Sequence, residues 1–248
     1  MGAGGCQVTL RLVSLTWDSQ GPARLAAFWA EALEWRIAPH TPERLTVTPT
    51  DATDFAFTFA ASDEGKVGAN RIHLDLSTQS LDDQHETAAR LVSLGASRVD
   101  IGQGPDARHI VLADPDGNAF CVLEPGNKFV TSASRVGSLT CDGTRAVGCF
   151  WSQALASPLV WEHNQETAIR IPDGAQQFVT WGGPPVPAKR GKNRLHLDVA
   201  PRPGGDREAE VESLLSLGAS LIDIGQRDAE WTVMADPDGN EFCVYRSA

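Results

Sequence analysis

The sequence predicts an α+β protein made by tandem duplication, and three observations carry that expectation. The first is an internal repeat. Asn70-Arg71-Ile72-His73-Leu74-Asp75-Leu76 returns 123 positions later as Asn193-Arg194-Leu195-His196-Leu197-Asp198-Val199. Leu94-Gly95-Ala96-Ser97, Ala113-Asp114-Pro115-Asp116-Gly117-Asn118 and Phe120-Cys121-Val122 all return in the same order, the last as Phe242-Cys243-Val244. So many matched stretches in unchanged order mark a duplicated unit. The second observation is that each copy alternates strand and helix signals in the order β-α-β-β-β, twice over. The third is composition: 248 residues, 42% apolar and 21% charged, suit two ordinary soluble domains. The copies are expected at residues 7–125 and 134–248, joined by a Gly/Ser/Thr-rich connection. In each, two βαβββ modules should form a sheet curled around a cavity, with the helices outside.

The elements follow from local pattern. Val13 to Asp18 alternates apolar and polar residues, as a half-buried strand does, with Ser14, Thr16 and Asp18 on one face. Pro22 suits a first helical turn, and Leu25, Phe28, Trp29, Ala32 and Leu33 then form a stripe at helical spacing. Arg44 to Thr48 and Phe55 to Phe59 read as strands between turn residues. His73 opens a second series, with a helix capped by Ser80 and Asp83 and ended by Gly95. Asp114-Pro115-Asp116-Gly117 then joins the last two strands as a tight turn. It is not an EF-hand loop, because Ala119 and Pro125 stand where that loop needs Gly and Glu. Trp17, Trp29, Trp151 and Phe28 lie on core-facing stripes.

Composition excludes some partners. A formal net charge of −11 with no Lys/Arg run argues against nucleic acid. No apolar stretch approaches membrane-spanning length, and Met1 to Cys6 shows no signal-peptide pattern. Five widely spaced cysteines without a CxxC pair read as reduced thiols and point to the cytoplasm. The two copies make an intrachain pseudo-dimer; a homodimer of the whole chain is left open.

Strand alternation also selects candidate site residues. Arg71, His73 and Asp75 share one strand face, and Arg194, His196 and Asp198 repeat the row. An arginine suits an anionic group, a histidine serves as hydrogen-bond donor or general base, and an aspartate orients it. Against this stands a structural histidine tied to its neighbouring carboxylate. His109 and Trp231 occupy equivalent places, so the two pockets differ if both residues face them. Cys121 and Cys243, set between Phe and Val, read as small buried hydrophobes.

The module order, the Phe-Trp pair of the first helix and the DPDGN turn before a last strand reading FCV resemble the vicinal oxygen chelate superfamily. This is the group of glyoxalases, bleomycin-resistance proteins and extradiol dioxygenases. The resemblance spans nearly the whole chain, once per copy, and is strongest for the glyoxalase-like branch. It implies metal ligands at the first and last strands of the modules. His73 and His196 match one such position, whereas Cys121 and Cys243 stand where glutamate is expected, and Val8 to Asp18 and Arg135 to Asp142 offer no His, Gln or Glu. With at most His plus Cys per copy, no metal site and no cofactor are expected, although a divalent ion is conceivable. The expected function is a metal-free binder of a small organic molecule, with Arg71, His73, Asp75, Cys121, Arg194, His196, Asp198, Cys243, Ser14, Thr16 and Asp18 lining the site. The alternative is a glyoxalase-like lyase, isomerase or dioxygenase using His73 or His196.

Overall fold

A computed structural model describes residues 10–39, 41–172, 174–225 and 230–247. Met1 to Cys6, Val8 and the outermost residues of both expected domains lie outside the described residues. Four βαβββ modules follow one another. Module one comprises β1 (Leu10–Ser19), α1 (Pro22–Leu33), β2 (Arg36–Ile37), β3 (Arg44–Thr48) and β4 (Ala56–Ala61). Module two holds β5 (Ile72–Leu76), α2 (Leu81–Ser93), β6 (Ser97–Arg98), β7 (Ile110–Ala113) and β8 (Ala119–Val122). Module three holds β9 (Val136–Cys141), α3 (Arg145–Ala154), β10 (Leu159–His163), β11 (Glu166–Arg170) and β12 (Phe178–Trp181). Module four holds β13 (Leu195–Pro201), α4 (Arg207–Ser216), β14 (Ser220–Leu221), β15 (Thr232–Ala235) and β16 (Glu241–Val244).

The α+β tandem duplication stands, but each repeat does not close a sheet of its own. The two open eight-stranded sheets run β14-β15-β16-β13-β1-β4-β3-β2 and β10-β11-β12-β9-β5-β8-β7-β6. Modules one and four share the first sheet, and modules two and three share the second. Every module leaves the free edge of its opening strand to be paired. That edge is met by the other repeat: β1 lies antiparallel to β13, with Ser14 opposite Asp198 and Thr16 opposite His196. In the second sheet β5 lies antiparallel to β9, with His73 opposite Thr140 and Asp75 opposite Ser138. β5 and β13 carry the same polar row, so alternation alone could not tell a partner in the same repeat from one in the other.

Local chemistry sets the element ends. Pro22 opens α1, and Ser80 Oγ accepts from the Asp83 N–H at the start of α2. Gly117 closes the DPDG turn at φ 81°, its N–H reaching the Asp114 carbonyl at 2.8 Å. One hydrophobic core joins the helices to both sheets. Trp29 bridges them, 5.9 Å from Phe57 of the first sheet and 5.0 Å from Phe120 of the second, ring centre to ring centre. Its Nε1 donates to Asp114 Oδ2 at 3.4 Å; Trp151 and Asp236 repeat the bond at 3.3 Å. Burial raises both carboxyls, opposed by the hydrogen bonds from Asn118 and Asn240. The DPDGN turns thus anchor α1 and α3 within their own repeats.

Candidate functional site

On the sheet face turned away from the core, alternation assembles the same three side chains twice. His73, Asp75 and Cys121 each bring one ligand-type atom within 4.8 Å of the others, and His196, Asp198 and Cys243 do the same. Asp75 and Cys121 are register partners on adjacent strands, as are Asp198 and Cys243. The expectation of no more than His plus Cys is therefore corrected. The aspartate two residues on joins them because period 2 returns it to the same face.

The two clusters have different surroundings. In the first sheet Asp198 is buried and its Oδ2 accepts from Thr16 Oγ1 at 2.6 Å and Arg44 Nη2 at 3.4 Å. His196 Nδ1 lies 2.8 Å from Asp198 Oδ1, an ion pair that is not aligned as a hydrogen bond. Burial works against charge on His196, but the Asp198 carboxylate outweighs it and holds the imidazole protonated well above the ordinary histidine range. Arg44 also donates to Tyr245 Oη at 2.6 Å, with its guanidinium 5.3 Å from the Trp231 ring centre and 5.7 Å from that of Tyr245. Ser14 donates to Thr58 at 2.8 Å. Protein side chains fill this face.

In the second sheet, among the described residues, no lysine or arginine pairs with the aspartate. Asp75 Oδ2 accepts from Ser138 Oγ at 2.8 Å and Thr140 Oγ1 at 2.6 Å. His73 Nε2 lies 3.5 Å from Asp75 Oδ1, and its side chain is 34% exposed against 9% for His196. Burial pushes the Cys121 thiol well up, and the adjacent Asp75 carboxylate adds to this. Val111, Cys121 and Leu123 form an apolar patch apart from the main core, with Val130 against it. Phe178, the register partner of Ser138, packs against Phe129 at 5.5 Å. Lys128 lies 3.4 Å from the Trp161 ring centre. The inter-repeat connection thus crosses this face and gives it an apolar wall.

The remaining three candidates, Asp18, Arg71 and Arg194, do not join either cluster. They line a separate cavity between residues 62–71 and 187–194. Arg71 and Arg194 immediately precede the regular strands, where the alternation argument stops fixing a side chain's face. Sequence reasoning missed Arg44, Tyr245, Phe129 and Phe178. Ser138 and Thr140 were legible, being the counterparts of Ser14 and Thr16.

The resemblance implies metal ligands on the first and last strands of the modules, which is where His73, Cys121, His196 and Cys243 lie. The first-sheet residues do not fit a divalent ion: Arg44 already places a positive charge on the carboxylate that would have to serve it. The second-sheet trio supplies N, O and S donors in the number a tetrahedral ion with one open position needs. A metal there would take Cys121 as the thiolate, against the upward push of burial on its thiol.

The sequence profile of the glyoxalase-like domain matches residues 14–123 and again 138–245. No curated protein matches the chain. Among solved structures, glyoxalase I from Zea mays is similar over 95% of this chain and 92% of its own, with TM-score 0.67 at 14% identity. A putative dioxygenase from Bacillus subtilis is similar over 98% of this chain and 86% of its own, with TM-score 0.62 at 13% identity. At these identities the likeness concerns the fold. Among the described residues no helix is long and apolar enough to cross a membrane.

Proposed function

Because the chain belongs to the glyoxalase-like domain family, carrying that domain twice, we propose that it binds a small organic molecule at His73, on the face of the second sheet turned away from the core, without a resident metal. The observation that carries this reading is the contrast between the two clusters. Asp198 is held by Arg44, which in turn meets Tyr245 and Trp231, and His196 beside it is buried, whereas His73 stays one-third exposed beside an apolar patch. A hydrogen-bonding group at the floor and apolar walls around it is the usual make-up of a small-molecule site. Here the floor is His73, positioned by Asp75; the walls are Val111, Cys121, Leu123, Phe178 and Phe129. The ligand is then a molecule with an apolar body and one polar group set against the imidazole.

Two donors to Asp75 support the metal-free reading: Ser138 and Thr140 both bond its Oδ2 inside the protein. On this reading His196 and Asp198 hold the paired sheet together and meet no ligand.

A library of small organic molecules screened by thermal shift tests the proposal on wild type, His73→Ala and His196→Ala. His73→Ala should lose the ligand-induced shifts with little change in the unliganded Tm. The expected weakening is about 1–3 kcal/mol where a buried partner is left unpaired. His196→Ala should melt lower and keep them. Shifts retained by His73→Ala and lost by His196→Ala would overturn the assignment.

A further inference from the structure

A cavity of about 470 Å³ lies apart from both clusters, between residues 62–71 and 187–194. These two segments are equivalent in the repeat and precede β5 and β13. Six of the chain's 21 basic residues line the cavity, Lys66, Arg71, Lys189, Arg190, Lys192 and Arg194, although the chain's formal net charge is −11. Three of them are paired with carboxylates. Lys192 meets Asp18, Lys189 meets Glu241 at 2.6 Å, and Arg194 meets Asp116 at 3.2 Å. Lys66 donates to the Gly68 carbonyl at 2.6 Å.

Arg71 stands apart. Among the described residues its side chain makes no ion pair within 4.0 Å, and its buried Nε has no hydrogen-bond partner. The Nε of Arg194, its counterpart in the other repeat, is also buried without a partner. The acids besides Asp18 are Glu64 and Asp142; burial raises the Asp142 carboxyl, and the charges of Arg71 and His73 oppose that. Both arginines line the cavity, and only Arg194 has a carboxylate on its fork. A guanidinium fork matches the oxygens of a carboxylate or a phosphate.

We propose that this cavity binds a small organic anion, gripping its carboxylate or phosphate oxygens with Arg71 and Arg194, independently of the second-sheet site. The test is calorimetric titration of the full chain with inorganic phosphate and, separately, with succinate, against chloride at matched ionic strength. The expected result is saturable binding of at least one probe, weakened about tenfold or more by Arg71→Gln and unchanged by His73→Ala. Phosphate alone binding assigns a phosphoester ligand; succinate alone assigns a carboxylate. Because Arg71 makes no ion pair among the described residues, the Tm of Arg71→Gln without anion should be close to or above that of wild type, which a purely structural arginine would not give. No saturable heat beyond chloride for either probe, or equal binding by Arg71→Gln, overturns the proposal. Should Arg71→Gln fail to fold, Arg71→Lys, which keeps the charge and loses the fork, takes its place, and unchanged affinity there overturns it equally.

Discussion

Replacing Asp198 by asparagine should cost more stability than the same change at Asp75, although both sit in the same repeated motif. Asp75→Asn keeps an amide oxygen for Ser138 and Thr140 and loses only the charge that strengthens those bonds, about 1–2 kcal/mol. Asp198→Asn leaves the Arg44 guanidinium, 3.4 Å away, without its acid and removes the carboxylate 2.8 Å from the buried His196 that keeps that imidazole protonated. Breaking a buried ion pair by removing one partner costs about 3–5 kcal/mol. In a chain of this size each kcal/mol moves Tm by about 2–4 °C, so Asp198→Asn should fall by roughly 10 °C and Asp75→Asn by roughly 4 °C. Calorimetry at pH 7, with urea denaturation to check that the m-value is unchanged, reads both. Adding Arg44→Met to Asp198→Asn should recover part of the loss, because it removes the stranded charge. Equal losses, or a larger one for Asp75→Asn, would refute the view that the first-sheet cluster is a structural ion-pair network and the second is not.

Three further outcomes follow from the same contacts. Protein dialysed without chelator, after removal of any affinity tag, should contain no stoichiometric divalent metal by elemental analysis; about one Fe, Ni, Zn or Mn per chain would contradict the metal-free reading. Asp198 raises the proton affinity of His196 in the folded state. The stability it gives is therefore complete below about pH 6.5, the unfolded value, and is lost as pH rises through the raised folded value. Tm should fall from about pH 6.5 into the alkaline range in wild type, and His196→Gln should flatten that limb; parallel limbs would contradict the assignment. Gly148→Ala should cost about 1–3 kcal/mol by urea denaturation, because an added Cβ would collide with Thr167 Oγ1 and lie 2.8 Å from its Cβ, where α3 crosses β11; a neutral result would show that this crossing can relax.

Much of this fold was legible because the repeat displays every module signal twice. The Pro22 start, the Ser80 cap and the DPDG turns are local chemistry, and each sits where its residues place it. The pairing of modules across repeats was not legible. Ile72 to Leu76 and Leu195 to Val199 present the same row of polar residues to whichever strand lies beside them, so the choice is made by tertiary packing. The same limit governs the candidate site. His73, Asp75 and Cys121 come together because register partners and i, i+2 neighbours share a face. Asp18, Arg71 and Arg194 belong to a different cavity because strand ends are governed by the loops they join. Arg44 acts on Asp198 from another module, 154 positions away in the chain, and nothing local to either residue announces that contact.

The central claim, a ligand site at His73 rather than His196, is tested most directly by histidine-selective ¹⁵N labelling and NMR titration. The chain has six histidines, few enough to assign by single substitutions. Compounds that raise Tm should shift the His73 imidazole resonances as they saturate and leave those of His196 in place. Shifts at His196 with His73 unmoved would contradict the account.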